Sequence, residues 1–118
     1  MARGLIVDDS KFMRKIIRDA LESGGHEVVA EADNGGEGLE SFEKTRPDFI
    51  TLDITMSGMD GLEALRRLKA VDPNARIVVI SAMNEKTLRL NQRDIEADAF
   101  ITKPFEKQEL LKIIRKIL

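Results

Sequence analysis

At 118 residues, with 42% hydrophobic and 34% charged side chains, the chain has the length and composition of one globular domain, expected to span 1–118. A net charge of −2 argues against nucleic-acid binding, and the absence of cysteine excludes disulfides, thiolate metal sites and thiol nucleophiles. Met1 to Ser10 contains no signal-like apolar stretch and no run is long enough to span a bilayer, so a cytoplasmic protein with no membrane partner is expected, and the composition makes a monomer the simpler expectation.

Taken in chain order, Gly4-Leu5-Ile6-Val7 predicts a first strand over 4 to 8, ending in the acidic pair Asp8 and Asp9. Met13, Ile16, Ile17, Ala20 and Leu21 recur at helical spacing, and Gly24-Gly25 supplies a stop. A second strand is predicted over 27 to 32. Leu39 and Phe42 mark a helix closed before Pro47, and 49 to 53 reads as a strand ending in Asp53. Leu62, Leu65 and Leu68 mark the next helix, closed before Pro73, and 76 to 81 reads as a strand ending in Ser81.

The segment from roughly 85 to 95 predicts a helix without a clean stripe, because Leu88, Leu90 and Ile95 are scattered among polar residues. Few apolar anchors make it the loosest element expected, either as a segment that shifts or as a marginal surface helix. A fifth strand over 99 to 102 precedes Lys103, and Leu110, Ile113, Ile114, Ile117 and Leu118 stripe a final helix. Five alternations of short apolar run and amphipathic segment predict an α/β fold, with a doubly wound five-stranded parallel sheet covered by helices on both faces.

Right-handed crossovers would bring the strand ends at 8, 53, 81 and 103 to one edge of that sheet. Asp8, Asp9 and Asp53 would then crowd three negative charges, a set that suits an oxygen-preferring divalent cation such as Mg2+, with Thr55 as a candidate carbonyl donor. One carboxylate, Asp53, would remain to attack phosphorus, and Lys103 and Ser81 would bind the resulting phosphoryl oxygens. Each residue also has a plain reading. Asp8 and Asp9 could cap the first helix, Asp53 could be a solvated loop acid, Ser81 a turn residue and Lys103 a surface charge. His26, the single histidine, reads as a corner residue, and Met56, Met59 and Met83 as packing around loops.

The segments Leu5-Ile6-Val7-Asp8-Asp9-Ser10, Leu52-Asp53-Ile54-Thr55-Met56, Met59-Asp60-Gly61 and Lys103-Pro104-Phe105 resemble the receiver domain of two-component response regulators, over the whole chain. The resemblance is closest to the single-domain chemotaxis (CheY-like) type. It implies the flavodoxin-like (βα)5 receiver fold with strand order 2-1-3-4-5, which is known for the family and does not follow from this sequence. It also implies that Asp53 accepts the phosphoryl group, that Asp8, Asp9, Asp53 and the Thr55 carbonyl hold Mg2+, and that Ser81 is the switch hydroxyl. Lys103 becomes the phosphate-pairing lysine, Phe100 the switch aromatic, and Lys103-Pro104 a cis bond. The reading surface it implies includes Lys86, Arg89, Arg93, Phe100, Lys107 and Lys112. Ser57, in place of a usual proline, and Glu96, in place of a common glycine, depart from the family pattern.

The function expected from the resemblance is a phosphorylation-activated switch with self-modification only, served by a histidine kinase and read by a target such as a motor switch or adaptor. A phosphatase is a further expected partner. A phosphorelay intermediate, or a receiver from a longer regulator, is the alternative. A haloacid-dehalogenase-type phosphatase lacks its second acid, because Thr55 stands two residues after Asp53. A dinucleotide module lacks its glycine fingerprint.

Overall fold

The computed structural model describes residues 2–54, 61–82 and 97–118. Five strands are present among them: β1 (Arg3–Val7), β2 (Glu27–Ala32), β3 (Phe49–Asp53), β4 (Ile77–Ser81) and β5 (Ala99–Thr102). Four helices accompany them: α1 (Lys11–Ser23), α2 (Gly35–Thr45), α3 (Gly61–Val71) and α4 (Lys107–Ile117). All strand pairings are parallel and the order is β2-β1-β3-β4-β5, the doubly wound arrangement expected. The irregular helix expected over 85 to 95 lies outside the described residues.

The aliphatic runs form strands because both faces of a central parallel strand are covered, so an uninterrupted apolar sequence is tolerated there. β3 and β4 are buried at every position, whereas the edge strand β2 is largely half-exposed. Side chains alternate between two cores. On one face, Ile6, Phe49, Val78, Ile80 and Ile101 meet Ile17, Ala20 and Leu21 of α1 and Leu110 and Ile114 of α4. On the other, Leu5, Val7, Ile50, Leu52 and Val79 meet Phe42 of α2 and Ala64, Leu65 and Leu68 of α3. Each fully buried Leu or Ile contributes roughly 1.5–3 kcal/mol of burial, so either stripe can hold its helix against the sheet.

Local sequence starts and stops these helices. The Ser10 hydroxyl accepts the Met13 amide at 3.1 Å and caps α1. The Gly24 amide closes α1 on carbonyls of its last turn, and Gly25 follows at φ +84, a conformation open to glycine. Asn34 caps α2 by accepting the Glu37 amide at 2.9 Å, while the Glu37 carboxylate reaches back to the Asp33 amide.

The stripes differ from expectation at their margins. Ile16 of α1 is 38% exposed, because Ile17, Ala20 and Leu21 already fill the arc facing the sheet. Leu118 is 46% exposed, since α4 ends at Ile117 and the next residue only caps it. The first and fourth strands begin and end within one residue of the expected bounds, and Asp8 stands just beyond β1.

Candidate functional site

The chain leaves β1 to one side to form β2 and then crosses to the other side for β3, an arrangement already known for flavodoxin-like sheets. This reversal opens a crevice between the carboxyl ends of β1 and β3. The register pairs Val7 with Leu52 and Asp53 with Ile80, so Asp8 and Asp53 stand level at its mouth. By strand alternation Asp8 follows Ile6, Asp53 follows Phe49 and Lys103 follows Ile101, all facing the α1/α4 side. Three residues from three strand ends therefore share one face of the edge.

Asp8 is 0% and Asp53 3% exposed, so neither is a solvated loop acid. The Lys103 ammonium lies 3.3 Å from Asp8 Oδ2 and 3.3 Å from Asp53 Oδ2, bridging the two carboxylates. Asp9 is exposed, and together Asp8, Asp9 and Asp53 offer oxygens within 4.8 Å of one another. Such a set of hard, anionic oxygen donors fits a divalent cation of the Mg2+ class. Burial pushes the Asp8 carboxyl above its ordinary 3.8; the Ser10 amide and the Lys103 charge oppose that rise, and the Asp53 charge adds to it. A cation would relieve both contributions.

Every polar group of Asp8 is engaged. Its amide donates to the Ala32 carbonyl at 3.0 Å, and its Oδ1 accepts the Ser10 amide at 2.9 Å. Its Oδ2 meets Lys103, and its carbonyl accepts Arg14 Nη1 at 2.7 Å. Helix capping is thus done by Ser10, and Asp8 is held in the crevice by bonds from both flanking elements. Arg14 escaped the sequence reading because it lies on the polar side of α1; its pairing with β2 and the β1–α1 loop is tertiary.

Ser81 is the last residue of β4 and 1% exposed, so it is not a turn residue at the surface. Its carbonyl accepts the Lys103 amide at 2.7 Å, continuing the β4–β5 ladder and holding the two residues side by side. Lys103-Pro104 is cis, as the resemblance implied. Phe100 is half-buried against the α2/α3 core, while Lys107 lines a groove of about 290 Å³ with Ile16, Asp19, Ala20 and Phe105 on the α1 side. Those two expected reading-surface residues therefore belong to different sides of the sheet. Lys112 is exposed. Thr55, Ser57, Lys86, Arg89, Arg93 and Glu96, with Met56, Met59 and Met83, lie outside the described residues. His26 sits in the turn after α1, where its Nδ1 accepts the Ala2 amide at 3.2 Å and its ring meets Phe49 edge-on at 5.6 Å.

Residues 5–115 match the family model of the response regulator receiver domain. The chain belongs to the response regulator receiver family. This receiver is 45% identical over 116 residues to the chemotaxis protein CheY of Bacillus subtilis (strain 168), covering 98% of this chain and 97% of that one. It is 39% identical over 115 residues to the chemotaxis protein CheY of Thermotoga maritima, covering 98% and 96% respectively. In structure the receiver resembles the CheX-CheY-BeF3-Mg+2 complex from Borrelia burgdorferi with TM-score 0.91 and 32% identity, over 98% of this chain and 87% of that one. Membership places the receiver in phosphorylation-dependent two-component signalling. Among the described residues, no helix is long and apolar enough to cross a membrane.

Proposed function

We propose that this receiver is a chemotaxis-type switch phosphorylated on Asp53. The observation carrying the proposal is the meeting of Asp8, Asp9, Asp53 and Lys103 at the β1/β3 crevice, within reach of one small ligand. A carboxylate oxygen of Asp53 attacks the phosphorus of a phosphohistidine on a partner kinase. The P–O bond forms, the P–N bond breaks, and its electron pair returns to the donor imidazole. When bound by Asp8, Asp9 and Asp53, with the Thr55 carbonyl expected as a further ligand, Mg2+ supplies charge neutralisation for the carboxylates and the incoming group.

Lys103 already stands between Asp8 and Asp53, from where its ammonium can turn to a phosphoryl oxygen. The Ser81 hydroxyl is the switch group, and Phe100, half-buried on the adjoining strand, is the side chain that can follow it. The 2.7 Å main-chain bond from Lys103 to Ser81 favours a joint response of the two loops. The signal leaves by protein contact, with Lys86, Arg89, Arg93, Lys107 and Lys112 as the basic reading residues. A cytoplasmic monomer that modifies only itself, with a kinase donor, a target and a partner that hastens dephosphorylation, completes the reading. Likeness to the two CheY proteins and to the Borrelia complex supports the chemotaxis assignment.

The test is incubation with acetyl phosphate and Mg2+, followed by intact mass beside Asp53→Asn. One phosphoryl adduct that needs Mg2+ and is lost in the variant is expected. An adduct that persists in Asp53→Asn would reject Asp53 as the nucleophile.

A further inference from the structure

Arg14 lies on α1, outside the set of strand-end residues, yet it touches the crevice through the main chain. Its Nη1 donates to the Asp8 carbonyl at 2.7 Å and its Nε to Glu31 Oε1 of β2 at 3.0 Å. The guanidinium is planar, so a carboxylate holding one nitrogen also sets the direction of the other donors. Arg18 Nε takes the second Glu31 oxygen at 2.6 Å, so Glu31 is itself held from both sides. The Arg14 side chain is only 16% exposed, unlike the solvated i,i+4 pairs such as Lys15 with Asp19. A solvated pair of that kind contributes little, whereas a partly buried charge-assisted bond to a carbonyl has directional consequences.

The carbonyl that Arg14 grips belongs to the peptide joining Asp8 to Asp9. The orientation of that peptide is set by ψ of Asp8 and φ of Asp9, the two soft torsions that fix how the Asp9 carboxylate stands relative to that of Asp8. The Asp8 amide is held by Ala32 and its Oδ1 by Ser10, and the Arg14 bond adds a hold on the carbonyl of the same residue. We propose that Arg14, aimed by Glu31, is a positioning residue that presets the Asp8 and Asp9 carboxylates for the divalent cation used in phosphorylation of this receiver. This role rests on the reading of Asp8, Asp9 and Asp53 as the cation site.

The experiment measures the Mg2+ dissociation constant by calorimetric titration, and the unfolding midpoint in Mg2+-free buffer, for the wild type, Arg14→Gln, Arg14→Lys, Glu31→Gln and Arg18→Gln. Loss of an outer-shell partner predicts about 10-fold weaker Mg2+ binding in Arg14→Gln, a smaller loss in Glu31→Gln, and binding within about twofold of wild type in Arg18→Gln. Arg14→Lys keeps the charge without the fork and falls between wild type and Arg14→Gln; it also carries the test if the glutamine variant does not fold. Arg14 variants that lower the unfolding midpoint but leave Mg2+ affinity unchanged would overturn the proposal, assigning the residue to stability alone. An equal loss in Arg18→Gln would overturn it as well, since Arg18 makes no bond to the Asp8 carbonyl and the Arg14 contact would then not be what sets the affinity. A wild type that binds no Mg2+ would instead reject the cation site itself.

Discussion

The Lys103 ammonium stands 3.3 Å from the carboxylate of Asp53, whose side chain is only 4% exposed. A lysine so placed substitutes for the cation that the acidic crevice calls for, and it does the same for Asp8 at an equal distance. Removing it strands two buried carboxylates beside each other. Lys103→Met should therefore lower folding stability in Mg2+-free buffer by about 3 kcal/mol, the scale for breaking a buried ion pair. Added Mg2+ should recover more of the stability in the variant than in wild type. Urea titrations with and without Mg2+ measure this, and an equal Mg2+ effect on both proteins would contradict the bridging role.

Gly61 opens α3 with its Cα pressed against the main chain behind Asp53. A Cβ there would come within 2.7 Å of the Asp53 carbonyl oxygen and meet the Ile54 backbone as well. Neither can yield as a flexible side chain could. Gly61→Ala should cost about 1–3 kcal/mol of stability, as overpacking does. Because the displaced backbone carries Asp53, phosphorylation by acetyl phosphate should also slow. Mass spectrometry over time, at a temperature where the variant is folded, checks the second expectation.

Thr51 lies two residues before Asp53 on the same face of β3 and is 1% exposed. Its hydroxyl finds no hydrogen-bonding partner among the described residues. Burying an unsatisfied hydroxyl is unfavourable, and valine has nearly its shape without the polar atom. Thr51→Val should raise stability by about 1 kcal/mol, read from the urea midpoint, with the Mg2+ affinity unchanged. A loss of stability would imply that the hydroxyl is satisfied in solution, by water or by a rotated side chain.

Burial pushes the His26 imidazole below its ordinary value of 6.5. Its Nδ1 accepts the Ala2 amide, which a protonated ring cannot do. The unfolded chain thus binds the proton more readily than the folded one. This contribution to stability is present above pH 6.5 and is lost as pH falls through the lower folded value. Wild type should lose stability between pH 7 and 5 in excess of His26→Gln, as denaturation at stepped pH would reveal. Parallel pH curves for the two proteins would show the ring to be uncoupled from folding.

Strand positions, the α1, α2, α3 and α4 stripes and the acidic ends of β1 and β3 were legible from local pattern, because a covered parallel strand needs an unbroken aliphatic run and a helix needs a recurring apolar face. The margins were less legible. Nothing in the spacing of Ile16 distinguishes it from Ile17, since exposure depends on what the rest of the helix meets. The plain readings of Asp8, Asp53 and Ser81 also could not be dismissed locally, because burial is a property of the assembled sheet.

By itself the sequence determined the alternating architecture and the chemical inventory: three carboxylates, a serine and a lysine at strand ends, with no thiol chemistry at all. Tertiary structure alone decided which of these meet. Strand alternation and register turn Asp8, Asp53 and Lys103 toward one side, and only then does one ammonium reach two carboxylates. It also decided that Arg14, which the sequence reading did not single out, grips the peptide between two acids that its helix follows. Hydrogen bonds act over about 3 Å and depend on direction, so partners distant in sequence are set by the packing of elements and leave no periodic trace along the chain.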